Sequence, residues 1–471
     1  MEKLIGRKKE IKDLRIYAES GKSEFVAIYG RRRVGKTFLV KKVFGNQLAF
    51  NFTGMANVSL RVQLANFRTE LSRQMGKKQP LANSWLDAFE QLRSHLEQLP
   101  SGKRKYIFID EMPWLDTPRS NFLPSLEHFW NNWAAWEDDI MLIVCGSATS
   151  WITNKLINNH GGLHNRVTRQ LYLAPFNLHE CKELCQSKGI AWKEKEIAEC
   201  FMVMGGIPYY LDQIQRGESP AQCIDRLFFV PEAPFRNEFD NLYKSLFTHS
   251  EQYIEVVKAL AKKRAGLTRQ EIIKQTHIAN GQGLTTIISD LQRCDFIKAI
   301  SKDNTGRNVV YQLVDNYTLF YLHFMGKNRM NDPHYWAHSI LGAEHHTWAG
   351  LAFELLCLRH VEQIKKALGI SGVLSQNYSW RSKKAEGGAQ IDLVIDRADN
   401  CVNIIEIKFS SEPFAITAEY EQKLLNKVNT FVEETKCKKT PMLTMLTTMG
   451  LKQGMHTDII QNEVKLSDLF E

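Results

Sequence analysis

One octapeptide constrains the fold of this chain more than any other feature. Residues 30–37 read GRRRVGKT and fit the pattern G-x-x-x-x-G-K-[ST]. The apolar run before it, at 24–29, predicts a buried strand, and the apolar spacing at 38–44 predicts a helix. A strand, a glycine-containing loop and a helix N-terminus together form a cradle for anions, because backbone N–H groups and the helix dipole both favour negative charge there. The sequence therefore predicts a nucleoside triphosphate site.

The loop residues have distinct expected roles. Lys36 would reach the β- and γ-phosphates, and the Thr37 hydroxyl would ligate Mg²⁺. ATP and Mg²⁺ are therefore the expected cofactors. The predicted nucleotide-binding residues of the loop are Gly30, Arg31, Arg32, Arg33, Val34, Gly35, Lys36 and Thr37. The three arginine side chains are assigned no chemistry of their own.

A pair of acids follows a second apolar strand, which is predicted at 106–109. Asp110 would order the Mg²⁺ shell, and Glu111 would polarise the attacking water as a catalytic residue. Two acids after a strand are common in α/β proteins, and their position downstream of the loop is what makes them informative. A further strand predicted at 47–52 lies between the two motifs. One inserted strand is the arrangement of ATPases that carry a catalytic glutamate.

Two further residues are candidates for acting on the γ-phosphate. Ser147 follows a strand predicted at 140–145, where ATPases of this type sense that phosphate; a serine that only caps the next helix is the alternative. Arg166 ends a loop at 161–166, where an arginine finger would reach a neighbouring subunit's nucleotide. A homo-oligomer is expected if Arg166 acts in this way. An ordinary surface arginine is the alternative.

These motifs resemble those of the archaeal-type ATPases, which are relatives of the AAA+ and STAND proteins. The resemblance extends over about residues 1–330 and rests on IGRKKE at 5–10, on the loop, and on two later segments, APF at 174–176 and GGIPYYL at 205–211. It implies an ATPase with a helical lid. In that family a Gly-x-Pro turn of the lid contacts the nucleotide, which would correspond here to Gly206 and Pro208.

The segment after the lid has the pattern of a winged helix. Thr268 and Glu271 predict a capping box that opens a short helix. A glycine-containing turn leads to a second helix at 284–294, and two short strands follow at 296–300 and 309–313. Such a fold can place its second helix in the major groove of DNA.

The charge of this segment leaves its role open. The helix that would enter the groove carries one basic and one acidic residue at 284–293, whereas phosphate contacts need Lys and Arg in number. Lys302 and Arg307, in the predicted wing at 301–308, are the obvious basic candidates. DNA binding and a purely structural role are both compatible with this pattern.

The last part of the chain contains the residues for a second active site. Asp392 lies in a predicted strand and Glu406 in the next one, and the two-residue period places Lys408 on the same face as Glu406. Two carboxylates can hold a divalent metal, while a lysine beside them can activate water and stabilise developing phosphate charge. Glu354, in an apolar helix upstream, is available as a third acid.

This arrangement resembles the PD-(D/E)xK nucleases and a domain of unknown function that often follows the archaeal-type ATPases. The resemblance implies Lys408 as a catalytic residue and a second Mg²⁺, or a Mn²⁺, on Glu354, Asp392 and Glu406. E-x-K recurs elsewhere, for example at 421–423, so the strand context carries the argument. The alternative is a nuclease-like fold used for docking or dimerisation.

Length and composition favour several globular domains, since the chain has 471 residues, of which 44% are hydrophobic and 24% charged. The expected fold class is α/β, as a P-loop NTPase parallel sheet at 1–175, a helical lid at 176–245, an α+β winged helix with a linker helix at 246–345, and an α/β restriction-endonuclease-like domain at 346–471.

The sequence also predicts where the chain works. It shows no signal-peptide pattern and no apolar run that could span a bilayer, and its nine cysteines are scattered, so we expect a cytoplasmic protein that contacts no membrane. A net charge of +9 permits contact with nucleic acid without demonstrating it.

Together these features predict an enzyme that binds and hydrolyses ATP and whose nucleotide state controls a C-terminal, nucleic-acid-directed module. The rival is a STAND-like switch that hydrolyses ATP slowly, signals by assembly, and carries an inactive nuclease-like interaction domain. A DNA-binding regulator acting through the winged helix is a third possibility, which the low basic content at 284–293 disfavours.

Overall fold

The computed structural model describes residues 4–158, 165–301, 309–327, 332–382 and 388–471. The chain divides into two compact units, Met1–Pro175 and Phe176–Glu471. The predicted wing residues Lys302 and Arg307 lie outside the described residues, as does most of the loop predicted before Arg166. Within the described ranges, no helix has both the length and the apolar character needed to cross a membrane.

The first unit is built on a parallel five-stranded sheet. Its strands are β1 (Glu24–Tyr29), β2 (Leu48–Thr53), β3 (Lys105–Asp110), β4 (Ile140–Cys145) and β5 (Arg169–Tyr172). Their order is β2-β3-β4-β1-β5, so β4 lies between β1 and β3 although it follows both in the chain. Every residue of β3 and β4 is buried, as expected for a parallel sheet covered on both faces. The predicted parallel sheet is confirmed.

Helices and an aromatic core cover this sheet. The helices are α1 (Lys8–Ala18), α2 (Lys36–Phe44), α3 (Leu60–Met75), α4 (Trp85–Glu97), α5 (Phe122–Asn132) and α6 (Thr149–Trp151). Helix α4 begins after Ser84, whose hydroxyl accepts the Asp87 N–H at 3.1 Å and so satisfies one of the free donors of the first turn. Phe67 of α3 meets Trp85 edge to face, with ring centroids 5.9 Å apart. The same core includes Ile109 of β3, the strand whose end carries the second motif.

The second unit starts with helices and ends with a mixed sheet. Its helices are α7 (Leu178–Ser187), α8 (Glu194–Met204), α9 (Pro208–Leu211), α10 (Pro220–Ile224), α11 (Glu238–Leu246), α12 (Ser250–Ala261), α13 (Arg269–Thr276), α14 (Gln282–Arg293), α15 (Asn316–His323), α16 (Tyr335–Ser339), α17 (Ala343–Arg359), α18 (Val361–Ala367) and α19 (Ala418–Thr435). Its strands are β6 (Ile297–Ser301), β7 (Val309–Leu313), β8 (Ser375–Arg381), β9 (Gln390–Arg397), β10 (Cys401–Lys408), β11 (Phe414–Ala415), β12 (Thr440–Thr447), β13 (Leu451–Lys452) and β14 (Asn462–Lys465).

The middle of this unit is a three-helix arrangement followed by a hairpin. Helices α12, α13 and α14 precede the antiparallel pair β6–β7, and Leu267 forms a bridge to Tyr311 of β7. The predicted capping box is confirmed, since the Thr268 hydroxyl accepts the Glu271 N–H at 3.2 Å and the Glu271 carboxylate accepts the Thr268 N–H at 2.7 Å.

The C-terminal sheet has the order β14-β12-β10-β9-β8. Strands β8, β9 and β10 form an antiparallel meander, whereas β10, β12 and β14 are parallel. Helix α19 connects the two parts, and its Leu424 and Phe431 enter a core with Val394, Ile404 and Met445. Helix α17 packs on β10. The predicted pairing of the Asp392 strand with the Glu406 strand is confirmed.

A buried histidine links α7 to α17 within the second unit. His360 donates from Nδ1 to the Leu356 carbonyl at 2.7 Å, and its Nε2 accepts the Leu178 N–H at 3.0 Å. Burial lowers the pKa of His360 to about 4, and the neighbouring Arg359 acts in the same direction. The neutral ring is therefore the form that fits this position.

The stability of the second unit should therefore fall as the pH is lowered. A depressed folded-state pKa gives stability that is complete above the unfolded value of about 6.5 and is lost as the pH falls towards about 4. Between pH 7.5 and 5.5 the contribution of His360 should fall by about 1 kcal/mol. Urea unfolding at both pH values should show this loss in the wild type and in His346→Gln, but a smaller loss in His360→Gln. Equal losses in all three proteins would contradict the assignment.

Candidate functional site

The predicted nucleotide loop leaves β1 and enters α2 directly. Gly30 has φ 144°, and a Cβ there would lie 2.3 Å from the Leu173 carbonyl oxygen, so only glycine fits. Gly35, at φ 91°, precedes the first residue of α2. Lys36 is buried, and its Nζ donates to the carbonyls of Gly30 at 2.9 Å and Arg31 at 3.0 Å. The lysine charge thus lies inside the loop, where a phosphate would be received.

The loop is also supported by Arg7, a residue that sequence reasoning did not select as a site residue. Its Nη2 donates to the Val34 carbonyl at 3.0 Å, and its Nη1 lies 3.7 Å from Glu10 Oε1. Arg7 is only 4% exposed. The segment that contains it carried part of the family resemblance, but no local pattern identifies the carbonyl that it contacts.

The Thr37 hydroxyl and the Asp110 carboxylate come together at the end of β3. Thr37 Oγ1 donates to Asp110 Oδ2 at 2.7 Å, while Oδ1 of the same carboxylate accepts the Cys145 thiol at 2.6 Å. Burial, with a further contribution from Asp110, raises the pKa of Cys145 well above its usual range, so the thiol is a neutral donor. A hydroxyl beside a carboxylate suits Mg²⁺, which prefers oxygen ligands and keeps several waters, so these residues fit the ion.

Glu111 is held by Ser147 across neighbouring strands. Glu111 Oε1 accepts the Ser147 hydroxyl at 2.5 Å, and Oε2 accepts the Ser147 N–H at 3.1 Å. The N-cap residue of α6 is Ala148, and that helix has no side-chain cap bond. Because β3 and β4 are adjacent, the acid after one strand faces the serine after the other. The serine hydroxyl therefore contacts the predicted catalytic acid rather than the helix end.

The other predicted nucleotide residues belong to later parts of the chain. Arg166 is an exposed residue shortly before β5. Pro208 is the first residue of α9 in the second unit. Gly206 has φ 72°, and a Cβ there would lie 2.2 Å from the Phe176 carbonyl oxygen. This tight turn explains the glycine, while the finger and lid roles stay predictions.

A second polar cluster lies on β9 and β10. Asp392 Oδ2 accepts the Ile407 N–H at 3.1 Å. Glu406 Oε1 lies 3.0 Å from Lys408 Nζ and accepts the Tyr420 hydroxyl at 2.8 Å, and Oε2 accepts Lys427 Nζ at 2.6 Å. Both carboxylates are buried. The structure thus brings together three of the four predicted residues of the C-terminal site.

The two carboxylates of this cluster differ in their electrostatic surroundings. Burial and the charge of Glu406 raise the pKa of Asp392. Burial would also raise the pKa of Glu406, but Lys427 and Lys408 outweigh it, so the pKa of Glu406 is lowered. The charged form of Glu406 is therefore favoured, and its negative charge is balanced by the ammonium groups of Lys408 and Lys427.

The fourth predicted residue, Glu354, has a different partner. Its buried carboxylate forms an ion pair with Arg264, from the segment that follows α12. Over the parts of the chain that the structure describes, no group of three or more His, Cys, Asp or Glu side chains could hold a metal ion. The C-terminal residues as they stand therefore do not fit a divalent cation.

Tyr420 and Lys427 were missed by the sequence analysis. Both lie on α19 and reach the same carboxylate, Glu406. The only sequence signal was their spacing around the buried Leu424, because positions three and four residues apart share a helix face. That spacing shows a common face, but it does not show which face meets the sheet.

The parallel sheet, with a glycine loop after β1 and acids after β3, defines the first unit as a P-loop ATPase fold. Residues 4–214 match a family described as an ATPase domain predominantly from Archaea. The match continues beyond α9, so it includes the first helices of the second unit. It supports an ATPase family and an ATPase activity.

Individual proteins resemble the chain over longer stretches. The uncharacterized protein MJECL04 of Methanocaldococcus jannaschii is 24% identical over 415 residues, which are 86% of this chain and 87% of that protein. The Walker-type ATPase PABY2304 of Pyrococcus abyssi covers 68% of this chain with 96% of its own, at 18% identity and a TM-score of 0.51. At this identity the likeness concerns the fold alone.

An ORC2 protein of Aeropyrum pernix, described in ADPNP–ADP complexes, is a looser match. It is 15% identical and covers 68% of this chain and 93% of its own, with a TM-score of 0.39. A TM-score this low does not establish a common fold.

Proposed function

We propose that this protein hydrolyses ATP in its first unit and that its nucleotide state controls a nuclease-like, nucleic-acid-directed module at its C-terminus. The ATPase is supported by two pairs of polar residues that meet where the adjacent strands β3 and β4 end. Thr37 with Asp110 offers oxygen ligands for Mg²⁺, and Glu111 with Ser147 offers an acid beside a polar sensor.

Each residue of the ATP site has a specific proposed task. Lys36 would exchange the Gly30 and Arg31 carbonyls for phosphate oxygens, because an anion is the stronger partner for an ammonium group. Bound Mg²⁺ would neutralise part of the negative charge of the phosphates. Glu111 would orient the attacking water.

Ser147 would couple recognition of the γ-phosphate to release of Glu111. In its present position the serine hydroxyl and N–H occupy both oxygens of the acid. When the hydroxyl turns to a phosphate oxygen, Glu111 regains an acceptor for the water. Arg166 is exposed, as a residue that acts on a neighbouring subunit's nucleotide would need to be, so an oligomeric active form is part of the proposal.

The proposed nuclease-like module is supported by topology and by residue placement. An antiparallel meander, then α19, then β12 parallel to β10 follow the helix α17. Asp392 lies on the middle strand of the meander, and Glu406 and Lys408 lie on the next. This is the D…E-x-K hairpin between helices that the resemblance to PD-(D/E)xK nucleases implies. No metal-dependent step is assigned, because Glu406 is already paired.

The middle module is proposed to be a winged helix that can contact DNA. The acidic residue of α14, Asp290, counts less against DNA binding because its carboxylate is engaged within the fold. It accepts the Tyr253 hydroxyl at 2.8 Å. Thr285 and Thr286 near the start of α14 are exposed and could meet a groove. The exposed face still has few cations, so any DNA affinity from this helix alone should be modest.

The rival function is a STAND-like switch whose C-terminal module only docks a partner. The observation that favours it is the double pairing of Glu406 with Lys408 and Lys427, which leaves no ready metal site. Slow ATP turnover with nucleotide-dependent assembly would support this reading.

One set of measurements on the intact protein tests the proposed function. Phosphate release from Mg-ATP should be detectable, and labelled DNA or RNA should be bound or cut to a different extent with ATP, ADP and no nucleotide. Absence of phosphate release would refute the ATPase. Nucleic-acid binding or cleavage that does not respond to nucleotide would refute the control, and cleavage that survives Lys408→Ala would refute the nuclease site.

A further inference from the structure

In the C-terminal cluster two lysines, Lys408 and Lys427, contact the single carboxylate of Glu406. Lys427 reaches Glu406 from α19, and its Nζ–Oε2 distance of 2.6 Å is shorter than the 3.0 Å of the predicted partner Lys408 to Oε1. Lys427 and Lys408 are mostly buried, with side-chain exposures of 23% and 34%. The two ammonium groups thus occupy opposite oxygens of one buried carboxylate.

The remaining donors of the cluster are also engaged. Tyr420 donates to the same Glu406 oxygen that faces Lys408, and burial together with Glu406 raises the pKa of this phenol. Asp392 has one oxygen on the Ile407 N–H. The third acid, Glu354, is paired with Arg264 in a contact between the middle module and α17. Each acid therefore has its own partner within the chain.

We propose that the C-terminal carboxylates form a latent divalent-cation site that is kept closed by the chain's own cations, with Lys427 as the closing residue. This inference rests on the proposed nuclease-like module. A cation on Glu406 and a divalent ion compete for the same oxygens, and a buried carboxylate that loses one ammonium partner must find another positive charge. Removal of Lys427 creates that need for another positive charge and leaves both metal-ligand candidates in place.

The physical basis is the cost of an unbalanced buried charge. With Lys427 present, the negative charge of Glu406 is compensated, and an added divalent ion would bring two buried positive charges close together. Without Lys427, Oε2 of Glu406 is open and lies on the strand next to Asp392, so both carboxylates can face one hard cation. Lys408 remains on the other oxygen in both cases.

The test is Mn²⁺ binding, measured by electron paramagnetic resonance on the full chain without nucleotide. Asp110→Asn is present in every protein, so the ATP site contributes no metal signal. Lys427→Gln should bind one Mn²⁺ at least about tenfold more tightly than the parent. Lys427→Arg, which keeps the charge, and Lys423→Gln, which removes a lysine paired with Glu419 one turn away on α19, should both behave as the parent.

Several results would overturn the proposal. One is an equal Mn²⁺ affinity in the parent and in Lys427→Gln. Another is a gain in Mn²⁺ affinity that persists when Glu406→Gln is combined with Lys427→Gln. If Lys427→Gln does not fold, as judged by circular dichroism, the parent alone decides: a Mn²⁺ ion that Glu406→Gln removes would show that the site is already open, and its absence would support closure. A failure of ATP turnover would sink the proposed ATPase without affecting this outcome.

Discussion

Replacement of Glu111 by glutamine is expected to reduce ATP turnover by roughly 10²–10⁴-fold while ATP binding is retained. Glutamine has nearly the same shape and can still contact Ser147, but it cannot accept a proton or polarise water as a carboxylate does. Phosphate release in the presence of excess Mg-ATP measures the first effect. Equilibrium binding of a fluorescent ATP analogue measures the second.

A matched control separates this effect from a general change in charge. Glu97 lies on α4 in the same unit and forms a partly exposed ion pair with Arg93, so Glu97→Gln should leave turnover unchanged. Ser147→Ala should lower turnover less than Glu111→Gln, because the acid remains present but loses its hydroxyl partner. Turnover of Glu111→Gln close to that of the wild type would exclude Glu111 as the residue that orients water.

Replacement of Lys36 by alanine is expected to weaken ATP binding by at least about 100-fold, which corresponds to about 2.7 kcal/mol. The ammonium group is buried inside the loop that is expected to hold the phosphates, where it can act as a charged donor. The Gly30 and Arg31 carbonyls lose a donor at the same time, so a decrease of about 1–3 kcal/mol in the free energy of unfolding should accompany the change.

The control for this second variant is Lys41→Ala, an exposed position in the last turn of the same helix. It removes one positive charge from α2 without touching the loop and should bind ATP as the wild type does. Calorimetric titration with Mg-ATP, together with thermal unfolding, distinguishes lost binding from lost fold. ATP affinity that is equal in both variants would mean that the loop does not hold the phosphates through Lys36.

Local patterns predicted much of the geometry of the candidate ATP site. The positions of Lys36 and Thr37 follow from a loop between a strand and a helix, and Asp110 and Glu111 follow from the end of a buried strand. All of these are short-range features, because side chains within one turn or at one strand end have a fixed direction. The capping box at Thr268 was predicted for the same reason and is confirmed.

Contacts across the fold could not be predicted in this way. The thiol of Cys145 meets Asp110 from 35 positions along the chain, and Arg7 meets Val34 from 27. Both contacts depend on which strands and helices are neighbours. An isolated sequence shows that β4 exists but not that it lies between β1 and β3. The serine–glutamate contact follows from that strand order alone.

In the C-terminal site local patterns again predicted the strand residues, but more of the contacts depend on the tertiary fold. Residue patterns alone predict a strand with Asp392 followed by a strand with Glu406 and Lys408, and side-chain alternation places Glu406 and Lys408 on one face. The contact of Lys427 with Glu406, 21 positions away, and the pairing of Glu354 with Arg264 depend on the folded chain. Charge pairing inside a fold is set by the packing of helices on the sheet, and the residue pattern of a single strand contains no information on it.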